Sequence, residues 1–141
     1  MTLTLDRKAE LLSAAHLFDG VDAEGMDRIA AVAVQVDFPA NHVVARQGEI
    51  GTGFFVVVEG RVRVIRDGET VATLGPGDFF GEISIILGEA PIADIVAIKP
   101  LSCLVLAGPR VEGFLVDNPR VMWRMLQAQA RRLRAANRWR S

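Results

Sequence analysis

At 141 residues the chain has the length of one domain, and with 50% hydrophobic and 23% charged residues it has the makeup of a chain that folds around a core, which excludes a disordered or fibrous protein. The net charge of −1 conceals a split: residues 1–118 hold nine basic and all 17 acidic residues, net −8, and residues 119–141 hold seven arginines, net +7. Apolar runs such as Phe54 to Val58 and Ile83 to Leu87 are too short to cross a bilayer, and the polar stretch Thr4 to Glu10 stands where a signal peptide would be apolar, so the expectation is a cytoplasmic protein with no membrane association.

In chain order, Leu5 to Phe18 carries apolar residues at helical spacing (Leu5, Ala9, Leu12, Ala15), and Asp22 is placed to cap a second helix through Met26, Ile29, Ala30 and Ala33. From Val34 the pattern changes to short β-type runs closed by turn residues: Val34 to Phe38, His42 to Arg46, Phe54 to Glu59, Val62 to Arg66, Thr70 to Leu74, Ile92 to Ile98 and Leu101 to Ala107. Asp67-Gly68 between two of them predicts a tight hairpin, because its turn needs positive φ. Helical pattern returns at Pro109 to Val116, and Asn118 then caps a long helix that starts at Pro119 and runs to about Trp139. On it Met122, Met125, Leu126, Gln129, Leu133 and Ala136 form one stripe, able to pack on the body or on a second copy.

The expected fold is therefore mainly β: a double-stranded β-helix, or jelly-roll β-roll, over residues 34–107, flanked by two N-terminal helices in 1–33 and by C-terminal helices, the last one long, in 108–141. One domain over 1–141 is expected. Cys103 has no cysteine to pair with and lies in the apolar run Leu101 to Ala107, as a small buried hydrophobe does. The basic C-terminal segment has two readings, a surface for an acidic partner or a helix whose late arginines favour its own dipole and face water.

Gln47-Gly48-Glu49, then Phe54 to Val62 (FFVVVEGRV), then Leu74 to Leu87 (LGPGDFFGEISIIL), resemble the cyclic-nucleotide-binding domain family. Asn118-Pro119 and Ala130-Arg131-Arg132-Leu133 resemble the connecting helix of catabolite-activator-type regulators. The resemblance implies a β-roll whose short helix holds the phosphate and ribose of cyclic AMP or cyclic GMP, with no other cofactor. It implies that Glu82 accepts from the ribose 2′-hydroxyl and that amides near Gly81, Ile83 and Ser84 face the phosphate. Glycine before a helix permits close backbone approach, and free amides attract an anion. The other reading of Gly75, Gly77 and Gly81 is that they serve tight turns, with Glu82 capping its helix.

The chain departs from the family pattern after Pro91. Ile92 stands where the phosphate-binding arginine would be, and Asp94 stands among the small residues around Ala93. Losing a bidentate arginine forfeits charge-assisted bonds of roughly 1.5–3 kcal/mol each, and a carboxylate about 5 Å from a phosphate adds repulsion of roughly 3 kcal/mol at an effective dielectric of about 20. The expectation is weak or lost cyclic nucleotide affinity, unless Asp94 points outward or is neutral and Arg110 or an arginine of the final helix swings in. Asn137 corresponds to a base-contacting position and reads equally as a solvated helix-end residue.

Three functions compete. A sensory and regulatory module for a small anionic or nucleotide ligand, acting through an unidentified effector protein and dimerised through its C-terminal helix, is the leading expectation. A ligand-independent docking or dimerisation module on the same scaffold is the alternative. A cupin-type metalloenzyme ranks last, because His16 and His42 are the only histidines and have no paired spacing, so neither a metal centre nor enzymatic activity is expected. Direct DNA binding is not expected either, since the chain ends at Ser141, where the regulators it resembles begin their DNA-reading domain.

Overall fold

A computed structural model describes residues 2–49 and 53–137. The two polar residues that precede apolar helical patterns act as caps. The Thr4 hydroxyl accepts from the Arg7 amide at 3.1 Å and starts α1 (Leu5–Ser13), and Asp22 Oδ1 accepts from the Gly25 amide at 2.7 Å and starts α2 (Ala23–Val32). The helix expected over Leu5 to Phe18 breaks after Ser13: Ala15 is extended, and His16–Phe18 form a separate 3-10 turn that sends Leu17 and Phe18 into the core.

Among the described residues eight strands follow: β1 (Val34–Phe38), β2 (Val43–Ala45), β3 (Gly53–Glu59), β4 (Val62–Arg66), β5 (Glu69–Leu74), β6 (Phe79–Phe80), β7 (Asp94–Ala97) and β8 (Leu101–Ala107). They make two four-stranded antiparallel sheets, β1-β8-β3-β6 and β2-β7-β4-β5, which is the mainly β roll with flanking helices that the pattern predicted. Arg66 pairs with Glu69 across a two-residue turn in which Asp67 has φ +51° and Gly68 φ +82°, so the Asp-Gly hairpin forms as expected. Strand β6 was not expected; only two residues long, it pairs Phe79 with Val56 and Phe80 with Phe55, and no two-residue strand shows a period in sequence. The run predicted over Ile92 to Ile98 shortens to β7, and His42 and Arg46 fall outside β2.

One apolar cluster fills the space between the first sheet and the flanking helices, with Leu12, Phe18, Ile29, Phe54, Leu104 and Val121 among its members; a second, around Val57, Val62, Phe80, Ile95 and Cys103, fills the roll. Burial pushes the Cys103 thiol up to about 12, in keeping with a structural rather than a reactive cysteine. After β8 come α3's later companions in sequence, α4 (Gly108–Asp117) and α5 (Pro119–Asn137), α3 itself being the six-residue helix Glu82–Leu87 between β6 and β7. Asn118 turns backward: its Nδ2 donates to the Phe114 carbonyl and closes α4, and its backbone carbonyl, not its side chain, accepts from Val121 and Met122 at the start of α5. The expected end of α5 near Trp139 lies outside the described residues.

The single stripe expected on α5 is two faces. Val121 and Met125 (3% exposed) point into the core, whereas Met122, Leu126 (58%) and Leu133 (63%) point away from it. At 100° per residue, Met125 and Leu126 cannot share a narrow contact line when the body presents a surface to only one of them.

Candidate functional site

The segment Gly81 to Ser84 sits where β6 ends and α3 begins. Gly81 has φ +93°, and a Cβ there would stand 2.3 Å from the Gly53 carbonyl oxygen of β3. Its lack of a side chain is therefore used in packing α3 against β3, which accounts for this glycine by a tight turn and close packing alone. Ile83 is exposed and Ser84 half-buried, with the Ser84 carbonyl accepting from the Glu89 amide at 3.1 Å.

Among the described residues Glu82 is the polar exception in the core, at 1% exposed. Residues of α5 reach it. Gln129 Nε2 donates to Glu82 Oε1 in a short contact, and Arg132 Nη1 donates to the same oxygen at 3.1 Å. Arg132 Nη2 also donates to the Phe79 carbonyl at 2.8 Å, and its guanidinium carbon lies 4.4 Å from the centroid of the Phe79 ring. The other carboxylate oxygen, Oε2, has no hydrogen-bond partner among the described residues. Burial pushes the Glu82 carboxyl above the usual range, and the Arg132 charge, a backbone bond and Gln129 pull against that.

After α3 in the chain, Ile92 is 50% exposed and Ala93 is half-buried. Asp94 is half-buried and occupied: its Oδ1 accepts from the Gln47 amide at 2.6 Å. The Gln47 side chain in turn bonds Asp67 twice, from Nε2 to Oδ1 at 3.0 Å and from the Asp67 amide to Oε1 at 3.3 Å, while the Gly48 amide donates to the Pro91 carbonyl at 2.9 Å. Asp94 thus pins the end of the segment after β2 beside the approach to β7. The structure brings Glu82 to α5 and Asp94 to Gln47, and leaves Asn137 exposed on the last described turn of α5. Arg110 is exposed on α4.

Sequence reading missed Gln129 and Arg132 as partners of Glu82. The signal available was Gln129 itself, a polar side chain on an otherwise apolar stripe, with Arg132 three residues later on the same face. Among the described residues there is no cluster of metal-ligating side chains and no helix long and apolar enough to cross a membrane. A cavity of about 10 Å³ lined by Leu12, Phe18, Ile29, Phe54, Leu104 and Phe114, among others, shares no residue with the Glu82 region.

The cyclic nucleotide-binding domain profile matches residues 35–118. Over 133 residues the chain is 30% identical to the CRP-like cAMP-activated global transcriptional regulator of Mycobacterium tuberculosis, an alignment covering 91% of this chain and 59% of that protein. The Thermus thermophilus catabolite activator protein superposes with a TM-score of 0.77 at 30% identity, over 86% of this chain and 59% of that one. The cAMP-bound PfPKA-R structure shares the fold with a TM-score of 0.87 at 18% identity, over 96% of this chain and 47% of that one. The chain therefore spans 59% of the length of the regulator it matches.

Proposed function

The chain belongs to the cyclic nucleotide-binding domain family, and from that premise we propose that it is a sensory and regulatory module whose affinity for cyclic AMP or cyclic GMP is weak or lost. The ligand region in this reading is Gly81, Glu82, Ile83 and Ser84 together with Ile92, Ala93 and Asp94. Both the M. tuberculosis regulator and the T. thermophilus activator are regulators by name, which supports a regulatory rather than a catalytic role here.

The observation that carries the reading is the disposition of charge. A half-exposed aliphatic side chain, Ile92, occupies the position at which the resemblance expects an arginine, and Arg132, the guanidinium bonded to Glu82, is engaged with that carboxylate and the Phe79 carbonyl. A phosphate placed there meets Asp94 without a dedicated cation. Output is assigned to α5, because its residues 129 and 132 are bonded to the carboxylate that a ligand hydroxyl would use.

Calorimetry with cyclic AMP on wild type, Ile92→Arg, Asp94→Ala and the double variant tests this. Wild type should bind only at millimolar concentrations or not at all. The double variant should bind measurably, and more tightly than Ile92→Arg alone, since Asp94 would otherwise pair with the new arginine. Micromolar binding by wild type would overturn the reading of Ile92 and Asp94. A docking or dimerisation role is favoured by one separate observation, the exposed Met122, Leu126 and Leu133 face of α5, which fits a homodimer.

A further inference from the structure

Helix α5 carries five arginines between Pro119 and Asn137 and neither lysine nor acidic residue. Arg132 is taken up by Glu82 and the Phe79 carbonyl. The other four share one face. At about 100° per residue, and with Arg120 set at zero, Arg131 stands at about 20°, Arg124 at about 40° and Arg134 at about −40°, an arc of about 80°. The core-facing Val121 and Met125 lie about 120° from the middle of that arc, and the exposed Met122, Leu126 and Leu133 about 140° from it on the other side. The arginine face is therefore separate both from the core contact and from the apolar face that fits a second copy.

On α1 and α2 the chain pairs charges along the helix, Arg7 with Glu10 and Arg28 with Glu24. On α5 it does the opposite. Arg120 and Arg124 are four apart and Arg131 and Arg134 three apart, spacings at which like charges repel, and Arg120 stands in the first turn, where the helix dipole disfavours a cation. Arg134, in the last turn, is the one the dipole favours. Among the described residues none of the four has an ion pair or a hydrogen bond. Arg120, Arg131 and Arg134 are exposed, and the half-buried Arg124 reaches toward Gly20, where a Cβ would stand 3.7 Å from its Nη2. The counter-charge for this face belongs to another molecule.

Four guanidinium forks in a row about 21 Å long suit carboxylates, each held by two bonds at a time. The surrounding charge decides what carries those carboxylates. Residues 1–118, which form the body that α5 lies against, are net −8. A lipid leaflet or a nucleic-acid duplex is wider than α5 and brings its negative charge onto that negative body as well, whereas a single helix meets α5 alone. Trp123, 56% exposed, borders the arginine face three residues after Arg120 and offers an apolar anchor beside the charges, which a phosphate backbone would leave unused. We propose that this face docks an acidic helical segment of a partner protein, with carboxylates on Arg120, Arg124, Arg131 and Arg134 and an apolar side chain on Trp123. The proposal rests on the regulatory reading only in taking that partner to be the effector; the docking itself holds whether or not a cyclic nucleotide binds.

The test selects displayed random peptides of about 20 residues on the full chain at about 0.15 M salt, then measures the most enriched peptide by fluorescence anisotropy. Enriched peptides should carry Asp or Glu three, four or seven positions apart beside an apolar residue. The Glu→Gln form of the best peptide should bind about tenfold or more weakly, and so should the chain with Arg120→Gln, Arg124→Gln, Arg131→Gln and Arg134→Gln, whose thermal midpoint should not fall. If that variant does not fold, the two double variants, Arg120→Gln with Arg124→Gln and Arg131→Gln with Arg134→Gln, decide, each with an expected loss of about threefold or more. Selection without acidic enrichment, no selection at all, or equal binding by wild type and the arginine variants overturns the proposal. A DNA duplex of about 20 base pairs or phosphatidylserine vesicles bound as tightly as the best peptide overturns it in favour of an extended anionic surface. Cyclic AMP titrations read none of these outcomes, so failure here leaves the regulatory reading standing.

Discussion

The two halves of α5 are held to the same body by different physics. In the first half Val121 and Met125 are packed in the apolar cluster with Phe18 and Leu115, a contact that is non-directional and grows with area. In the second half Gln129 and Arg132 supply the described hydrogen bonds to the body, to a single buried carboxylate and one backbone carbonyl, while Arg131, Leu133 and Arg134 are exposed. The first attachment has no chemical competitor short of unfolding. The second can be exchanged, because any hydrogen-bond donor that reaches Glu82 competes with Gln129 for the same kind of bond. A helix anchored by apolar burial at one end and by exchangeable polar bonds at the other can loosen locally without loss of the fold.

The largest effect should come from the apolar half. Met125→Ala removes buried side-chain volume and should destabilise by about 2–5 kcal/mol, read from denaturant midpoints. An effect below about 1 kcal/mol would mean that the first half of α5 is not anchored by the core and would erase the contrast.

Arg132→Ala strips Glu82 of its cation. Because Arg132 is itself more than a third exposed and solvent-screened, the expected loss is smaller, about 1–2 kcal/mol, and hydrogen exchange should rise in residues 129–137 with 121–125 unchanged. Uniform deprotection of all of α5 would contradict a polar latch confined to its second half.

The pH dependence sharpens the same point. Burial raises the Glu82 carboxyl above its unfolded value near 4.5, with the Arg132 charge only partly opposing it. A raised folded-state value means that the folded protein holds this proton more tightly than the unfolded chain. The stabilisation linked to it is fully present below about 4.5 and is lost as pH rises through the folded-state value. Wild type should therefore lose stability relative to Glu82→Gln over that rise, and parallel stability curves for the two proteins would refute the assignment.

The smallest change in stability, within about 0.5 kcal/mol, is expected for Leu126→Glu with Leu133→Glu, since both side chains face away from the core. Light scattering should nevertheless show the double variant as a monomer and wild type as a dimer. A monomeric wild type would remove the homodimer proposal and leave the latch untouched.

Much of this architecture is legible residue by residue in the chain. Asp22 and Asp67-Gly68 act through neighbours within a few positions, so cap and hairpin follow from local chemistry, and β1, β4 and β8 follow from runs long enough to show their pattern. The two-residue β6 and the break after Ser13 do not, because strand pairing and burial against distant residues decide them. The block around Glu82 is equally visible.

Sequence by itself determined the roll, its flanking helices and the family, all of which rest on short-range spacing or on motif residues that stand together. Only the tertiary structure decided which face of α5 turns inward, that Gly81 is small for the sake of Gly53, that Asp94 holds Gln47 and that Glu82 is met by Gln129 and Arg132. The last three join residues 28 to 50 positions apart, and no local periodicity encodes the partner of a buried charge; the folded body, by denying Glu82 water, dictates that some donor must come to it.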